Sequence, residues 1–196
     1  MNTVTTTLTT VAQFSEDGTK RYLLQKTWDT TKPNLAIVIL APSGASDIAL
    51  DNTTLLVLNN ADRLGYGSVS IVNLFATLND FALKQAEEED TDNLEVIVNT
   101  AETADLIVYA PGTGKSANNA YQERQKQILT VLEPFQGKLH CLCGAEGNAR
   151  LQHPLSPAVR TWNLSPLQVS ELLPKEKTPS STPEQKKEGQ KTHTEN

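Results

Sequence analysis

The sequence predicts an α/β protein, a three-layer sandwich with a mostly parallel central sheet and an N-terminal β-hairpin. Four mainly apolar runs provide the first observation: the continuous run NLAIVIL (34–40), and the predicted strands SVSIVNLFA (68–76), DLIVYAP (105–111) and GKLHCLCG (137–144). Such runs are typical of strands that are buried on both faces of a parallel sheet. The second observation is that helix signals separate the runs, and alternating strands and helices indicate helices layered on the sheet.

The third observation is a hairpin signal near the N-terminus. TVTTTLTTVAQF and RYLLQKTW alternate loosely between apolar and polar residues, and they flank SEDGT, in which Asp17-Gly18 favours a tight turn. We therefore predict an antiparallel hairpin over residues 4–28, approximately.

The clearest helix signal is DNTTLLVLNNADRLGYG (51–67), where Asp51 is a candidate N-cap and Gly65 a terminator. We expect Leu55, Leu56 and Val57 to lie on or near its buried stripe. Further helices are predicted in segments 80–90, 92–104 and 117–135.

A chain of 196 residues is expected to form one domain, which we place at residues 1–173. Residues 174–196 contain no aliphatic or aromatic side chain, so they are predicted to be a disordered polar tail. The N-terminus has neither a basic start nor an apolar core, and no run is long enough to span a bilayer, so a cytoplasmic location is predicted.

The charge distribution argues against a general nucleic-acid binder. The tail carries a net charge of +1 and the other 173 residues a net charge of −7, which is the opposite of a basic footprint. A small site for one base or nucleotide is still compatible with this balance. Cys141 and Cys143 are predicted to be buried free thiols, and three scattered histidines make zinc unfavourable, so no metal or cofactor is predicted.

YAPGTGKS (109–116) is similar to a phosphate-binding loop, G-x-x-x-x-G-K-[ST], but departs from it. Tyr109 occupies the place of the first glycine, and Pro111 removes a backbone N–H from a loop that binds phosphate through such groups. A phosphate-loop NTPase is therefore the less favoured alternative, although Lys115 could contact a single phosphate at the helix entry.

Ligands of parallel α/β sheets bind at the carboxyl ends of the strands, which directs attention to the residues there. Pro42, Ser43 and Gly44 follow the first run and form a tight turn. Asn73 ends the second run, and it either bonds the loop backbone or reads a donor–acceptor edge such as that of a nucleobase. His153, before Pro154, is either a structural hydrogen-bonding group or a ligand contact.

Over residues 21–156, about two thirds of the chain, the sequence resembles a bacterial family catalogued as domain-of-unknown-function family 1643. GYGSVSIVNLFA and HPL carry most of the resemblance, and Arg21 with YLLQKTW adds to it. That family is in turn similar, more remotely, to the uracil-DNA glycosylase fold. The resemblance implies that Asn73 reads a base and that His153 contacts the base carbonyl.

The same resemblance implies a water-orienting polar residue before Pro42, where this chain has Ala41, so base hydrolysis is doubtful. It also implies Trp-Gly where the chain reads YAPG. The predicted function is binding of a nucleobase, a nucleotide or a single extruded base, with no catalytic residue assigned. The predicted ligand-binding residues are Pro42, Ser43, Gly44, Asn73, Gly112, Lys115 and His153. The alternative is a non-catalytic protein-interaction module with an unidentified protein partner.

Overall fold

A computed structural model describes residues 1–42, 48–78, 90–112, 119–144 and 151–173. This part of the chain forms a seven-stranded mixed sheet and four α-helices. The strands are β1 (Thr9–Phe14), β2 (Arg21–Thr27), β3 (Asn34–Ile39), β4 (Ser68–Asn73), β5 (Leu106–Tyr109), β6 (Leu139–Cys143) and β7 (Asn163–Pro166). The helices are α1 (Asn52–Arg63), α2 (Thr91–Thr103), α3 (Asn119–Leu132) and α4 (Val169–Leu172).

The strand order is β1-β2-β4-β3-β5-β6-β7, and the four central strands run parallel to one another. This confirms the α/β class and the parallel centre predicted from the four apolar runs. The predicted hairpin forms from β1 and β2 around Gly18, and β2 also pairs antiparallel with β4. The hairpin is thus the continuation of the main sheet on one side, and antiparallel β7 continues it on the other.

Apolar clusters cover both faces of the sheet because side chains of the buried strands alternate between them. On one face, Ile37 and Ile71 pack with Val57 of α1 and with Trp162. On the opposite face, Val38 and Val72 pack with residues of α2 and α3. Cys141 and Cys143 are buried in this second cluster as free thiols, as the sequence predicts.

Helix α1 has the two ends that its sequence predicts. The Asp51 carboxylate accepts a hydrogen bond of 2.7 Å from the Thr54 N–H, and Gly65 has a φ of 87° immediately after the helix. The prediction for Leu55 is wrong, because its side chain is 44% exposed while Val57 is fully buried. The buried stripe of α1 includes Thr54, Val57 and Ala61 at helical spacing, and Leu55 projects away from it.

Two C-terminal elements were not predicted, namely β7 and α4, each only four residues long. The helix predicted at 92–104 is α2, and Asp90 is its N-cap. Most of the helix predicted at 80–90, the Gly-Lys-Ser stretch (114–116) and the predicted tail (174–196) lie outside the described residues. No helix of the described chain is long and apolar enough to cross a membrane.

Candidate functional site at the carboxyl edge of the sheet

The carboxyl ends of the four parallel strands meet at one edge of the sheet. In the register, Ile39 pairs with Asn73, and Tyr109 pairs with Cys141. The chain leaves β3 towards β4 on one side, and it later leaves β5 towards β6 on the other side. The strand order therefore reverses between β3 and β5, and open α/β sheets bind ligands outside the carboxyl ends of the strands at such a point. Segments 40–42 and 110–112 directly follow these two strand ends.

Asn73 is the last residue of β4, and its side-chain amide is the clearest anomaly at this edge. The residue is 0% exposed, and neither Oδ1 nor Nδ2 has a hydrogen-bond partner among the described residues. By strand alternation its side chain shares the α1 face with Val69 and Ile71. A buried polar atom without a partner costs roughly 1–3 kcal/mol, so an amide with both ends unpaired requires an explanation.

The backbone around Asn73 is held firmly by two buried side chains. Asn93 of α2 donates through Nδ2 to the carbonyl oxygens of Asn73 and Leu74, at 3.0 and 3.2 Å. Arg124 of α3 donates through Nε to the Leu74 carbonyl oxygen at 2.7 Å. The end of β4 is therefore fixed by the structure while the Asn73 amide is left unsatisfied. Among the described residues, no bond from this amide to loop backbone exists.

His153 lies in the segment that follows β6, and its ring is oriented by its own loop. The Leu155 N–H donates to Nδ1 at 3.2 Å, so Nδ1 is an acceptor and the proton of the neutral ring is on Nε2. Burial lowers the pKa of His153, and the negative charge of Asp51 partly opposes this shift. At neutral pH the ring therefore offers an uncharged Nε2–H donor.

Gly112 brings the segment after β5 into contact with His153. Its φ is 83°, and a Cβ added there would lie 3.1 Å from the His153 Cβ. The Tyr121 hydroxyl of α3 donates to the Gly112 carbonyl oxygen at 3.1 Å. Only glycine permits both this backbone conformation and this close approach. The structure thus brings together Gly112 and His153, two of the residues predicted from the sequence.

Arg21 and Asp51 belong to the same neighbourhood, although neither is among the ligand-binding residues predicted from the sequence. Because β2 runs antiparallel to β4, Arg21 at its start lies at the carboxyl edge, where its N–H donates to the Ala76 carbonyl oxygen at 2.8 Å. Arg21 is only 1% exposed, and burial lowers its pKa. The negative charge of Asp51 acts on both Arg21 and His153. The available sequence signal was a charged residue, Arg21, at the start of the predicted strand RYLLQKTW.

Several exposed apolar side chains are close in sequence to the residues of this edge. Leu50 immediately precedes Asp51, Leu155 is two residues from His153, and Leu55 is in the first turn of α1. Together with Ile48 they are the exposed large apolar residues of the described chain beyond residue 14. Exposed apolar residues therefore adjoin both His153 and Asp51 along the chain.

The remaining predicted residues are distributed as follows. Ala41 and Pro42 are half-buried at the end of β3, next to the Phe75 N–H that donates to the Leu40 carbonyl oxygen at 3.0 Å. Ser43, Gly44 and Lys115 lie outside the described residues. Tyr109, at the position of the first glycine of a phosphate loop, is a fully buried residue of β5 and so belongs to the sheet.

A depression is found on the opposite face, away from this edge. It is a cleft of about 210 Å³ between α2 and the β1–β2 hairpin, and both polar and apolar side chains line it, among them Gln13, Gln25, Leu23 and Val96. Within the described ranges, no group of three or more potential metal ligands occurs.

The fold and this edge define an α/β protein whose strand order reverses between β3 and β5 and whose neighbouring strand β4 ends in an unsatisfied buried amide. Residues 21–155, more than two thirds of the chain, match the model of a family described as protein of unknown function, DUF1643, and the chain belongs to this family. This confirms the family predicted from the sequence. The matched residues include Arg21, Asn73, Gly112 and His153, whereas β1 and β7 lie outside them. No curated protein matches the chain.

Proposed function

We propose that the carboxyl edge of the sheet binds a nucleobase, either free, in a nucleotide or extruded from a strand. The Asn73 amide carries this proposal, because it is fully buried and has both a donor and an acceptor without partners. The edge of a nucleobase presents an adjacent donor and acceptor, which would satisfy both ends of the amide at once.

His153 would supply a third hydrogen bond to the same ligand. Its Nε2–H can donate to a carbonyl oxygen of a base, and the Leu155 N–H at Nδ1 keeps the proton on Nε2. The close contact between Gly112 and the His153 Cβ holds this residue against the segment that follows β5. The exposed apolar side chains of Leu50 and Leu155 suit the flat face of a base, since ligand sites combine apolar walls with a few polar contacts.

The remote resemblance to uracil-DNA glycosylases supports the same two residues, as an analogy between folds. Ala41 has no polar atom that could orient a water molecule, so the proposal is for binding and not for base hydrolysis. The proposal also includes the predicted layer arrangement, a three-layer sandwich like that of the uracil-DNA glycosylases. The predicted contacts of Ser43, Gly44 and Lys115, the last with a phosphate, are further parts of it.

Calorimetric titration with uridine, cytidine, adenosine and guanosine, and with their 5′-monophosphates, tests the proposal. Ribose 5-phosphate is the control ligand without a base. We expect at least one nucleoside to bind, and Asn73→Ala to weaken that binding by at least about tenfold, because a buried hydrogen-bonded edge is worth more than about 1.4 kcal/mol.

Asn99→Ala is the matched control variant, because Asn99 is an exposed asparagine of α2 that lines the separate cleft on the opposite face. It should bind as the unmodified protein does. Binding that survives both Asn73→Ala and His153→Ala would contradict the proposal. So would a panel in which no nucleoside binds, or one in which ribose 5-phosphate binds as well as the nucleotides. Co-purification of a stoichiometric protein partner by both variants would favour the interaction module instead.

A further inference from the structure

The two edge strands of the sheet differ in how well they are protected from pairing with another strand. β7 has four residues and ends at Pro166, which has no N–H, and α4 follows it closely. β1 has six residues, TTVAQF, with neither a charge nor a proline. Within the described chain, only β2 pairs with β1, so its outer edge presents backbone groups. Proteins normally protect such an edge with charges, prolines or a covering element.

The segment that contains β1 also exposes an unusual share of apolar side chains. Of the nine exposed large apolar residues in the described chain, five lie within the first fourteen residues: Met1, Val4, Leu8, Val11 and Phe14. Residues 1–15 contain no charged side chain. An unprotected, uncharged strand edge next to exposed apolar groups marks an interaction surface.

The sequence of β1 is complementary to itself when two copies run antiparallel. If a two-fold axis passes through Val11, then Val11 lies opposite its own copy, and Leu8 lies opposite Phe14 of the other chain. Thr9 then lies opposite Gln13 and Thr10 opposite Ala12, so the three large apolar residues meet one another and the one mixed pair involves the small Ala12. Because the strand is uncharged, a second copy meets no like charge across the axis. A two-fold axis is also the commonest symmetry of oligomers.

We propose that β1 pairs antiparallel with β1 of a second copy of this chain, so that one sheet continues across the dimer. The occupant is a second copy because the strand offers no charge to select a charged partner and because the apolar residues match in the self-paired register. β1 precedes residues 21–155, so this interface is separate from the region that matches the family. The inference is independent of the proposed ligand site, which lies at the carboxyl ends of the strands.

The mass of the full chain in solution, measured by size exclusion with light scattering, provides the first test. We expect twice the mass of one chain for the unmodified protein and the mass of one chain for Val11→Lys, which places two ammonium groups opposite each other at the axis. Leu55→Lys is the matched control, because Leu55 is 44% exposed and Val11 is 45% exposed. This control should remain a dimer. A monomeric unmodified protein, or a Val11→Lys variant that stays dimeric, would overturn the proposal.

Cross-linking tests the register. Directly opposed antiparallel residues have Cα atoms roughly 4.5–5.5 Å apart, within the range of a disulfide. Val11→Cys should therefore form a disulfide-linked dimer under mild oxidation. Thr9→Cys should not, because the two copies of residue 9 would be about 13 Å apart along the strands. Cys141 and Cys143 are buried and should contribute little background. Equal cross-linking of the two variants would contradict the proposed register.

Discussion

Asn60 and Asn73 are both buried asparagines on the α1 side of the sheet, and they differ in how their amides are satisfied. Asn60 is 4% exposed, and its side chain makes four hydrogen bonds, with the Leu56 and Arg160 carbonyl oxygens, the Trp162 N–H and the Arg63 guanidinium. Asn73 is 0% exposed, and its side chain makes none among the described residues. The Asn60 amide thus connects α1 with residues 160–162, whereas the Asn73 amide retains unused hydrogen-bonding capacity.

The largest expected effect separates the structural asparagine from the ligand-binding one. Asn60→Ala should lower the free energy of unfolding by about 3 kcal/mol, because it leaves the buried Trp162 N–H and the Arg160 carbonyl without their partners. Asn73→Ala breaks no side-chain hydrogen bond in the free protein, so its free energy of unfolding should decrease clearly less. Urea denaturation of both variants measures the difference. Equal losses would show that Asn73 has a structural partner after all.

The backbone next to His153 provides the second test. Gly112→Ala should cost about 1–2 kcal/mol of stability and weaken nucleoside binding, because it strains a φ of 83° and pushes against the His153 Cβ at 3.1 Å. Gly137→Ala is the matched control, since a Cβ at that glycine meets nothing within 4 Å. Thermal unfolding and titration are measured on both. If the two variants behave alike, Gly112 does not position His153.

A smaller change in stability, of opposite sign, is expected when Asn73 is replaced by an apolar residue of similar size. Asn73→Leu removes two unpaired buried polar atoms, so the free energy of unfolding should stay the same or rise by up to about 1 kcal/mol. Nucleoside binding should be lost at the same time, which is the usual trade-off at a binding site. A strongly destabilised Asn73→Leu variant would mean that the amide contributes to the folded state without ligand.

The smallest effect concerns pH. Burial lowers the pKa of His153 in the folded chain, so below a pH of about 6.5 the unfolded chain takes up the proton more readily. The free energy of unfolding therefore has its full value above that pH, and it decreases as the pH falls towards the pKa of His153 in the folded chain. The unmodified protein should therefore lose more stability than His153→Ala between neutral and mildly acidic pH. Denaturation curves of both proteins across this pH range measure the two losses of stability. Equal losses in the unmodified protein and in His153→Ala would contradict the prediction.

The central strands and the ends of α1 were predictable because their signals are local. A continuous apolar run indicates a buried strand, and a capping Asp51 with a terminating Gly65 delimits a helix. β7 and α4 escaped because four residues are too few for a periodic pattern, and Pro166 argued against a strand. Leu55 was misplaced because the phase of the buried stripe depends on where α1 lies against the sheet.

The site was predictable only in part for a similar reason. Asn73 and His153 could be singled out because each is a polar residue at the end of a predicted strand or in a loop after one. The shared neighbourhood of Arg21 and Asp51 depends on β2 lying beside β4, and strand order is not encoded in any local pattern. The unsatisfied state of the Asn73 amide depends on every side chain around it, so only the three-dimensional structure reveals it.

The most direct measurement is the NMR resonance pair of the Asn73 side-chain Nδ2 hydrogens, assigned by its disappearance in Asn73→Leu. The Asn60 pair serves as an internal reference, because its hydrogens already bond the Leu56 and Arg160 carbonyl oxygens. On addition of the nucleoside that binds, we expect the Asn73 hydrogens to shift downfield as they form hydrogen bonds, while the Asn60 hydrogens stay in place. Asn73 resonances that do not move at saturation would contradict the assignment of this amide as the base-reading group.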